Sequence, residues 1–383
     1  MDALLTEEER MMRASVREFA NRELAPRAAD YDASEAFPWD NVAALSALGL
    51  MGLTIGEKYG GAGASCAQLA VAIEEVARAC AATSVIHLTH LSLGAECVAR
   101  YGDDAQRSRW LPPLAAGETL GAFALTEPSS GSDAGDMQTR AVRDGDHYVL
   151  DGAKTFITNG PEAGLTVVFA ATDPAAGRRG VSAIVVEKAA PGLTITPQKG
   201  KMGIRASSTA ELAFDACRVP IANRLGEEGA GFRIALSVID SSRISIAAQA
   251  VGIGQAALDA ATTHVQQRRT FGEPLAERQA VQFMLADMAT RLDAARLLTR
   301  RAAQLKDAGQ SINKEAAMAK VYASEAAHFA CDRALQLHGG YGYFRDSAVE
   351  RLYRDQRVTE IYEGTSEVQR IVVARALLRE NAP

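Results

Sequence analysis

"RAVRDGDHYVLDGAKTFITNG", residues Arg140–Gly160, interrupts a sequence that is otherwise helical in period. Val, Thr, Ile and Phe recur around Asp144-Gly145 and Asp151-Gly152, the pattern of short strands joined by tight turns. The same punctuation runs from about Gly121 to Ala222, through "GAFALTEP", "LTVVFAATD", "GVSAIVVEK", "GLTITPQ" and "TAELAFDACRV". No helix of useful length separates these runs, so the spacing predicts an antiparallel sheet or a small barrel.

On both sides the helical period returns. In "TEEERMMRASVREFANREL" Thr6 reads as an N-cap with glutamates in the first turn, and Pro26 closes the segment. "WDNVAALSALGLMGL" and "AQLAVAIEEVARACAATSVIHLTHLSLGAECVARYG" extend the helical pattern to about Gly117, around the connector Tyr59–Ser65. After Gly226 come a long amphipathic stretch to Arg269, a second that Gly309 terminates, and a third that ends at Gly339-Gly340. A last helix begins near Ser366, where Ser366 and Gln369 have capping-box spacing. The expectation is a mostly α protein with a central β domain: a helical domain over 1–120, a β domain over 121–225 and a helical bundle over 226–383.

Composition narrows the function. The 383 residues carry a net charge of -6, with basic and acidic residues interspersed, which argues against nucleic acid or an anionic membrane as partner. No run of 18 apolar residues occurs, and the acidic start "MDALLTEEERMMR" has no signal-peptide pattern. The five cysteines are scattered and form no CxxC, which predicts reduced thiols in a cytoplasmic protein. His87 and His90 lie one helical turn apart without the acidic companion of a metal motif, so no metal is expected.

Several loops admit both a structural and a ligand-binding role. "GIGQAA" resembles a dinucleotide fingerprint, but helical residues precede it where a strand is required, so Gly252 and Gly254 are assigned to helix packing. "ALTEPSSGSDAGDM" (Ala124–Met137) is either a solvated loop or a cradle of hydroxyls and amides for a polar ligand. In "KTFITNG" (Lys154–Gly160), Phe156 and Thr158 fall on one strand face, as core and rim or as cover for a flat ring. Arg268 in "RRTFGEPLAERQ" is a surface cation or a phosphate ligand. The glycines of "LQLHGGYGY" cap a helix and also permit close approach of a ligand. In "EIYEGTSEVQR" (Glu360–Arg370), Glu363 follows two apolar residues and precedes a glycine, which suits either a solvated helix start or a desolvated base.

Taken together and in order, "FALTEPSSGSDAG", "KTFITNG", "KMGIRASSTAELAF", "RRTFG", "LQLHGGYGY" and "IYEGTSEVQR" resemble the motifs of the acyl-CoA dehydrogenase family, most similar to its short-chain, butyryl-type branch. The resemblance implies an N-terminal helical domain, a middle β domain and a C-terminal four-helix bundle. It also implies FAD beside Phe123, Leu125, Thr126 and Ser132 on one side, Phe156, Ile157 and Thr158 on the other, and Thr365, Ser366 and Glu367 at its edge. Many relatives have tryptophan in place of Phe156 and glutamine in place of Glu367. Arg268, Gln279, Gln336, Gly339 and Gly340 would contact the FAD of a neighbouring subunit in a homotetramer. Ser132, Asp240, Arg243 and Gly364 would contact acyl-CoA.

The reaction implied is α,β-dehydrogenation to the trans-2-enoyl-CoA. Glu363 takes the α-proton, a hydride passes to flavin N5, and electrons leave to electron-transfer flavoprotein. The alternatives are an oxidase that uses oxygen, or a dehydrogenase of a branched or dicarboxylic acyl-CoA. Some relatives carry the base near the position of Ser242 instead; serine there leaves Glu363 without a rival. An exposed glutamate, with a pKa near 4.3, is too weak for this task, so desolvation must raise it toward neutrality.

Overall fold

The computed structural model describes residues 5–380. The chain opens with α1 (Glu7–Phe19), α2 (Ala28–Ser34), α3 (Trp39–Ala47), α4 (Cys66–Ala79), α5 (Ala81–Thr89), α6 (Glu96–Tyr101) and α7 (Asp104–Ala115). Thr6 caps α1 in a full capping box: its hydroxyl accepts from the Glu9 amide, and its own amide donates to the Glu9 carboxylate at 2.7 Å. Pro26 does not close this segment. Helical turns continue from Ala20 to Arg27, and Pro26 sits at the start of a short 3-10 turn, where its missing N–H breaks no helical bond.

His87 and His90 are fully buried on this block and bond to backbone. His87 Nε2 reaches the Leu50 carbonyl at 2.8 Å, and His90 Nε2 reaches those of Met51 and Leu114 at 3.0 and 3.1 Å. The Gly121 amide donates to His90 Nδ1 at 3.1 Å, tying the helices to the first strand. Burial pushes both imidazoles down to about 4, so they are neutral at pH 7.

The sheet comprises β1 (Gly121–Ala124), β2 (Arg140–Asp144), β3 (His147–Thr158), β4 (Leu165–Ala171), β5 (Val181–Glu187), β6 (Leu193–Pro197), β7 (Thr209–Pro220) and β8 (Arg224–Leu225). Its order is β6-β7-β3-β2-β4-β5-β8, with β1 paired to β4. Most pairs are antiparallel as expected, but β1 runs parallel to β4, and β2 meets β4 in parallel at Arg140 and Ala171. Parallel pairing needs a long connection. The loop over residues 125–139 and the β2–β3 hairpin provide it for β1 and β4.

The third block holds α8 (Gly231–Gln267), the ribbon β9 (Arg269–Thr270) and β10 (Glu273–Pro274), α9 (Gln279–Asp307), α10 (Asn313–His338), α11 (Ala348–Gln356) and α12 (Ser366–Glu380). α8 packs on α4, α9 and α10. It is the one described helix long and apolar enough to cross a membrane, and most of that apolar stretch is buried within the protein. A Cβ on Gly252 would lie 2.2 Å from the Glu74 carbonyl, and one on Gly254 2.5 Å from the Leu292 side chain. "GIGQAA" is therefore a helix-packing motif. Between blocks, the Ile204 amide donates to Asp355 of α11 at 2.5 Å, and Gly203 lies so close to Arg354 that a Cβ would sit 2.4 Å from its carbonyl. Arg354 also bridges Asp32 and Glu350, at 2.6 Å each.

Candidate active site

Glu363 sits in the turn between the 3-10 extension of α11 (Arg357–Glu360) and α12. Its φ is +52° and that of Gly364 is +93°. The left-handed conformation costs a non-glycine residue about 1 kcal/mol, so other groups must hold it. Three side chains do so through the carbonyls. Gln369 Nε2, on α12, donates to the Glu363 and Gly364 oxygens at 3.1 and 2.9 Å. Lys320 Nζ, on α10, donates to the Gly364 oxygen at 2.7 Å, and Arg243 Nε, on α8, to the Glu363 oxygen at 3.4 Å. A Cβ on Gly364 would lie 2.4 Å from Gln369 Nε2, so a side chain there would displace the amide that holds the turn, besides straining φ.

The expected Ser366–Gln369 capping box does not form. The Thr365 hydroxyl accepts from the Val368 amide at 3.3 Å, which moves the cap one residue earlier and leaves the Gln369 amide free to hold the Glu363 turn. Ser366 Oγ is buried without a protein partner.

The Glu363 carboxylate accepts a hydrogen bond from Ser242 Oγ, and the Tyr362 hydroxyl donates to Gln249, both acceptor and donor partners lying on α8. Burial pushes the Glu363 carboxyl up to about 7, against the pull of Ser242, Lys320 and Arg243. Burial likewise pushes Lys320 down to about 8 despite the attraction of Glu363. Arg243 pairs with Asp240 at 2.6 Å, and Asn313 holds both Asp240 oxygens at 3.0 Å. Glu363 is only half-buried. It is thus reachable, about half ionised at neutral pH, and able to accept a proton from a weakly acidic carbon.

Family models for the N-terminal, middle and C-terminal domains of acyl-CoA dehydrogenase match residues 6–118, 122–217 and 229–378. The chain belongs to the acyl-CoA dehydrogenase family. This makes it an oxidoreductase. It is 48% identical over 375 residues to the mitochondrial short-chain specific acyl-CoA dehydrogenase of Rattus norvegicus, covering 98% of this chain and 91% of that protein. It is 46% identical over 381 residues to the acryloyl-CoA reductase (NADH) of Anaerotignum propionicum, covering 99% and 96%. The structure of butyryl-CoA dehydrogenase from Megasphaera elsdenii superposes with a TM-score of 0.96 at 41% identity, over 99% of this chain and all of that one.

The residues expected to face FAD in an acyl-CoA dehydrogenase fall into two groups. The first lies on β1 and β3, in the loop after β1, and around the start of α12. Leu125 and Ile157 are buried, Phe123, Thr126 and Thr158 half-buried, and Ser132 exposed. Phe123 packs on Phe169, ring centroids 4.8 Å apart. Phe156 is 69% exposed with φ +59°, at a bulge in β3, while its neighbours Thr155 and Ile157 are buried. The two segments are clamped by a buried ion pair, Lys154–Glu127 at 2.7 Å. Glu127 also accepts from the Gln138 and Thr139 amides at 2.7 and 3.0 Å. Gln198 accepts from the Phe156 amide at 3.2 Å and starts the loop that reaches Asp355 on α11, which leads into the Glu363 turn. Thr365 is half-buried and Glu367 exposed beyond that turn. An outward aromatic ring, half-buried hydroxyls and the unpartnered Ser366 Oγ fit a flat ligand with polar edges such as FAD.

The second group, Arg268, Gln279, Gln336, Gly339 and Gly340, is exposed in the single chain. Arg268 lies over the Tyr341 ring at 5.7 Å. It stands 25 residues beyond Arg243 on and just past α8, roughly 38 Å at the helical rise. One chain therefore does not bring Arg268 to its own Glu363.

Sequence reasoning missed three residues of the site: Ser242 as a donor to Glu363, and Lys320 and Gln369 as clamps on its turn. Lys320 carried one signal, a lone cation in the alanine-rich run "AAMAKVYASEAA".

Proposed function

We propose that this chain dehydrogenates a short-chain acyl-CoA to the trans-2-enoyl-CoA, with Glu363 as the α-proton base. The observation that carries the proposal is a reachable carboxyl raised to about 7, fixed in a left-handed turn and hydrogen-bonded by one hydroxyl. Among the described residues the Glu363 amide donates to no protein acceptor, so it is available to the thioester oxygen as negative charge develops there. Ser242, Lys320 and Arg243 favour the ionised carboxylate before transfer.

FAD, held by the sheet residues Phe123, Leu125, Thr126, Phe156, Ile157 and Thr158 and by Thr365, Ser366 and Glu367, would supply the hydride acceptor. Arg268, Gln279, Gln336, Gly339 and Gly340 would complete the neighbour's site in a homotetramer, a reading supported by their exposure and by the exposed Tyr341, Tyr343 and Phe344 nearby in sequence. For CoA we propose the open cleft of about 700 Å³ at the start of α8. Arg178, Arg179 and Arg233 line it for phosphates, Phe232 and Leu236 offer apolar surface, and Asp240 leads toward Arg243 and Gly364. Ser132, on the exposed loop, would close over the ligand.

Electron-transfer flavoprotein is the proposed acceptor. Anaerobic bleaching of the flavin with acyl-CoAs from C4 to C12, straight and branched, tests the assignment: rapid bleaching by butyryl-CoA supports it, and none by any of them refutes it. Peroxide formation in air without a protein acceptor would show an oxidase instead. Similarity to an acryloyl-CoA reductase favours a second direction of the same chemistry, in which Glu363 returns the proton to an enoyl-CoA. Faster turnover with enoyl-CoA and a reductant than with acyl-CoA would select it.

A further inference from the structure

Lys320 is fully buried on α10, among Ala316, Ala319 and Ala323. A buried ammonium is costly unless charge or hydrogen bonds compensate it. Its hydrogen bond is to the Gly364 carbonyl, and it joins no ion pair among the described residues. The charges that act on it are Glu363, Glu360 and Glu367 in attraction and Arg243 in repulsion.

Three helices and the neighbouring Tyr362 present groups to Glu363. α8 presents Ser242 and Arg243, the latter also paired with Asp240 at 2.6 Å. α12 presents the neutral Gln369. Tyr362 is kept protonated by burial. α10 presents Lys320, a cation with no carboxylate of its own. We propose that Lys320 is a positioning residue for proton abstraction: it pins the Gly364 carbonyl, holding Glu363 and Gly364 in left-handed conformations, and its charge keeps the base ionised. The proposal rests on Glu363 being the base. Burial pushes Lys320 down to about 8 and Glu363 up to about 7, so each charge supports the other near neutral pH.

The test follows the Glu363 carboxyl by NMR in protein carrying ¹³C-labelled glutamate, without substrate; the resonance is assigned by its loss in Glu363→Gln. In Lys320→Met, Glu363 is expected to titrate about one pH unit higher, the scale of one neighbouring charge. The acid limb of anaerobic flavin reduction is expected to move by the same amount. Lys320→Arg, which restores charge, is expected to titrate near wild type. A Lys320→Met protein that turns over more slowly while Glu363 titrates unchanged overturns the proposal. Should Lys320 variants fail to fold, the reciprocal measurement decides: the Lys320 ammonium is expected to titrate lower in Glu363→Gln than in wild type, and an unchanged value overturns the proposal. Activity retained in Glu363→Gln would instead strike the base assignment, so the two failures are separable.

Discussion

Replacing Ser242 with alanine isolates one contribution to the base. Its hydroxyl lies on α8, is fully buried, and donates to the Glu363 carboxylate and toward the Ile239 carbonyl at 3.1 Å. A hydrogen bond to a charged group contributes about 1.5–3 kcal/mol, and 1.36 kcal/mol is one pKa unit. Losing it favours the protonated carboxyl, so Glu363 is expected to rise from about 7 by roughly one to two pH units. At pH 7 the ionised fraction would fall from about half to about a tenth or less, slowing proton abstraction roughly fivefold or more. At high pH the rate would recover. The assay is stopped-flow flavin reduction under nitrogen from pH 5.5 to 9.5 with saturating butyryl-CoA. An acid limb that stays in place, with a uniformly lower rate at every pH, would refute the reasoning.

Other perturbations follow from the same geometry. Glu363 titrates near 7 in the fold against a reference of 4.5, so it contributes stability below about pH 4.5 that is lost as pH rises through 7. Glu363→Gln is therefore expected to be more stable than wild type at pH 8, by at most about 3 kcal/mol, with the difference fading below pH 4.5 in urea titrations. Lys154→Met strands the buried Glu127 carboxylate and is expected to cost about 3 kcal/mol at pH 7, read from the urea midpoint. Phe156→Ala removes an exposed ring, so it should leave the unfolding of FAD-free protein unchanged while weakening FAD retention roughly two- to tenfold in equilibrium dialysis.

The helical blocks were legible because their signals are local. The Thr6–Glu9 capping box, the stop at Gly309 (φ +69°) and the packing glycines of α8 can be read within a few residues. The break between α4 and α5 at Cys80 was not, since that residue turns extended (φ −152°) with no glycine or proline to announce it. The parallel pairing of β1 with β4 was hidden for a different reason: register between strands 40 residues apart leaves no trace in either strand alone. Phe156 could be placed on one strand face with Thr158, either as core or as cover for a ring, but the bulge that turns its φ positive arises from pairing with β7. At the site, Glu363 stood out through its neighbours in sequence and through the family resemblance. Ser242, Lys320 and Gln369 did not, because their roles exist only once α8, α10 and α12 are packed around one turn.

The central claim is that the Glu363 carboxylate takes the proton. Purified Glu363→Gln mixed anaerobically with butyryl-CoA tests it most directly, with binding followed by the perturbation of the flavin spectrum and chemistry by bleaching. The account predicts retained binding and flavin reduction slowed by ~10³-fold or more, the scale of a missing general base. Bleaching at near the wild-type rate would contradict it.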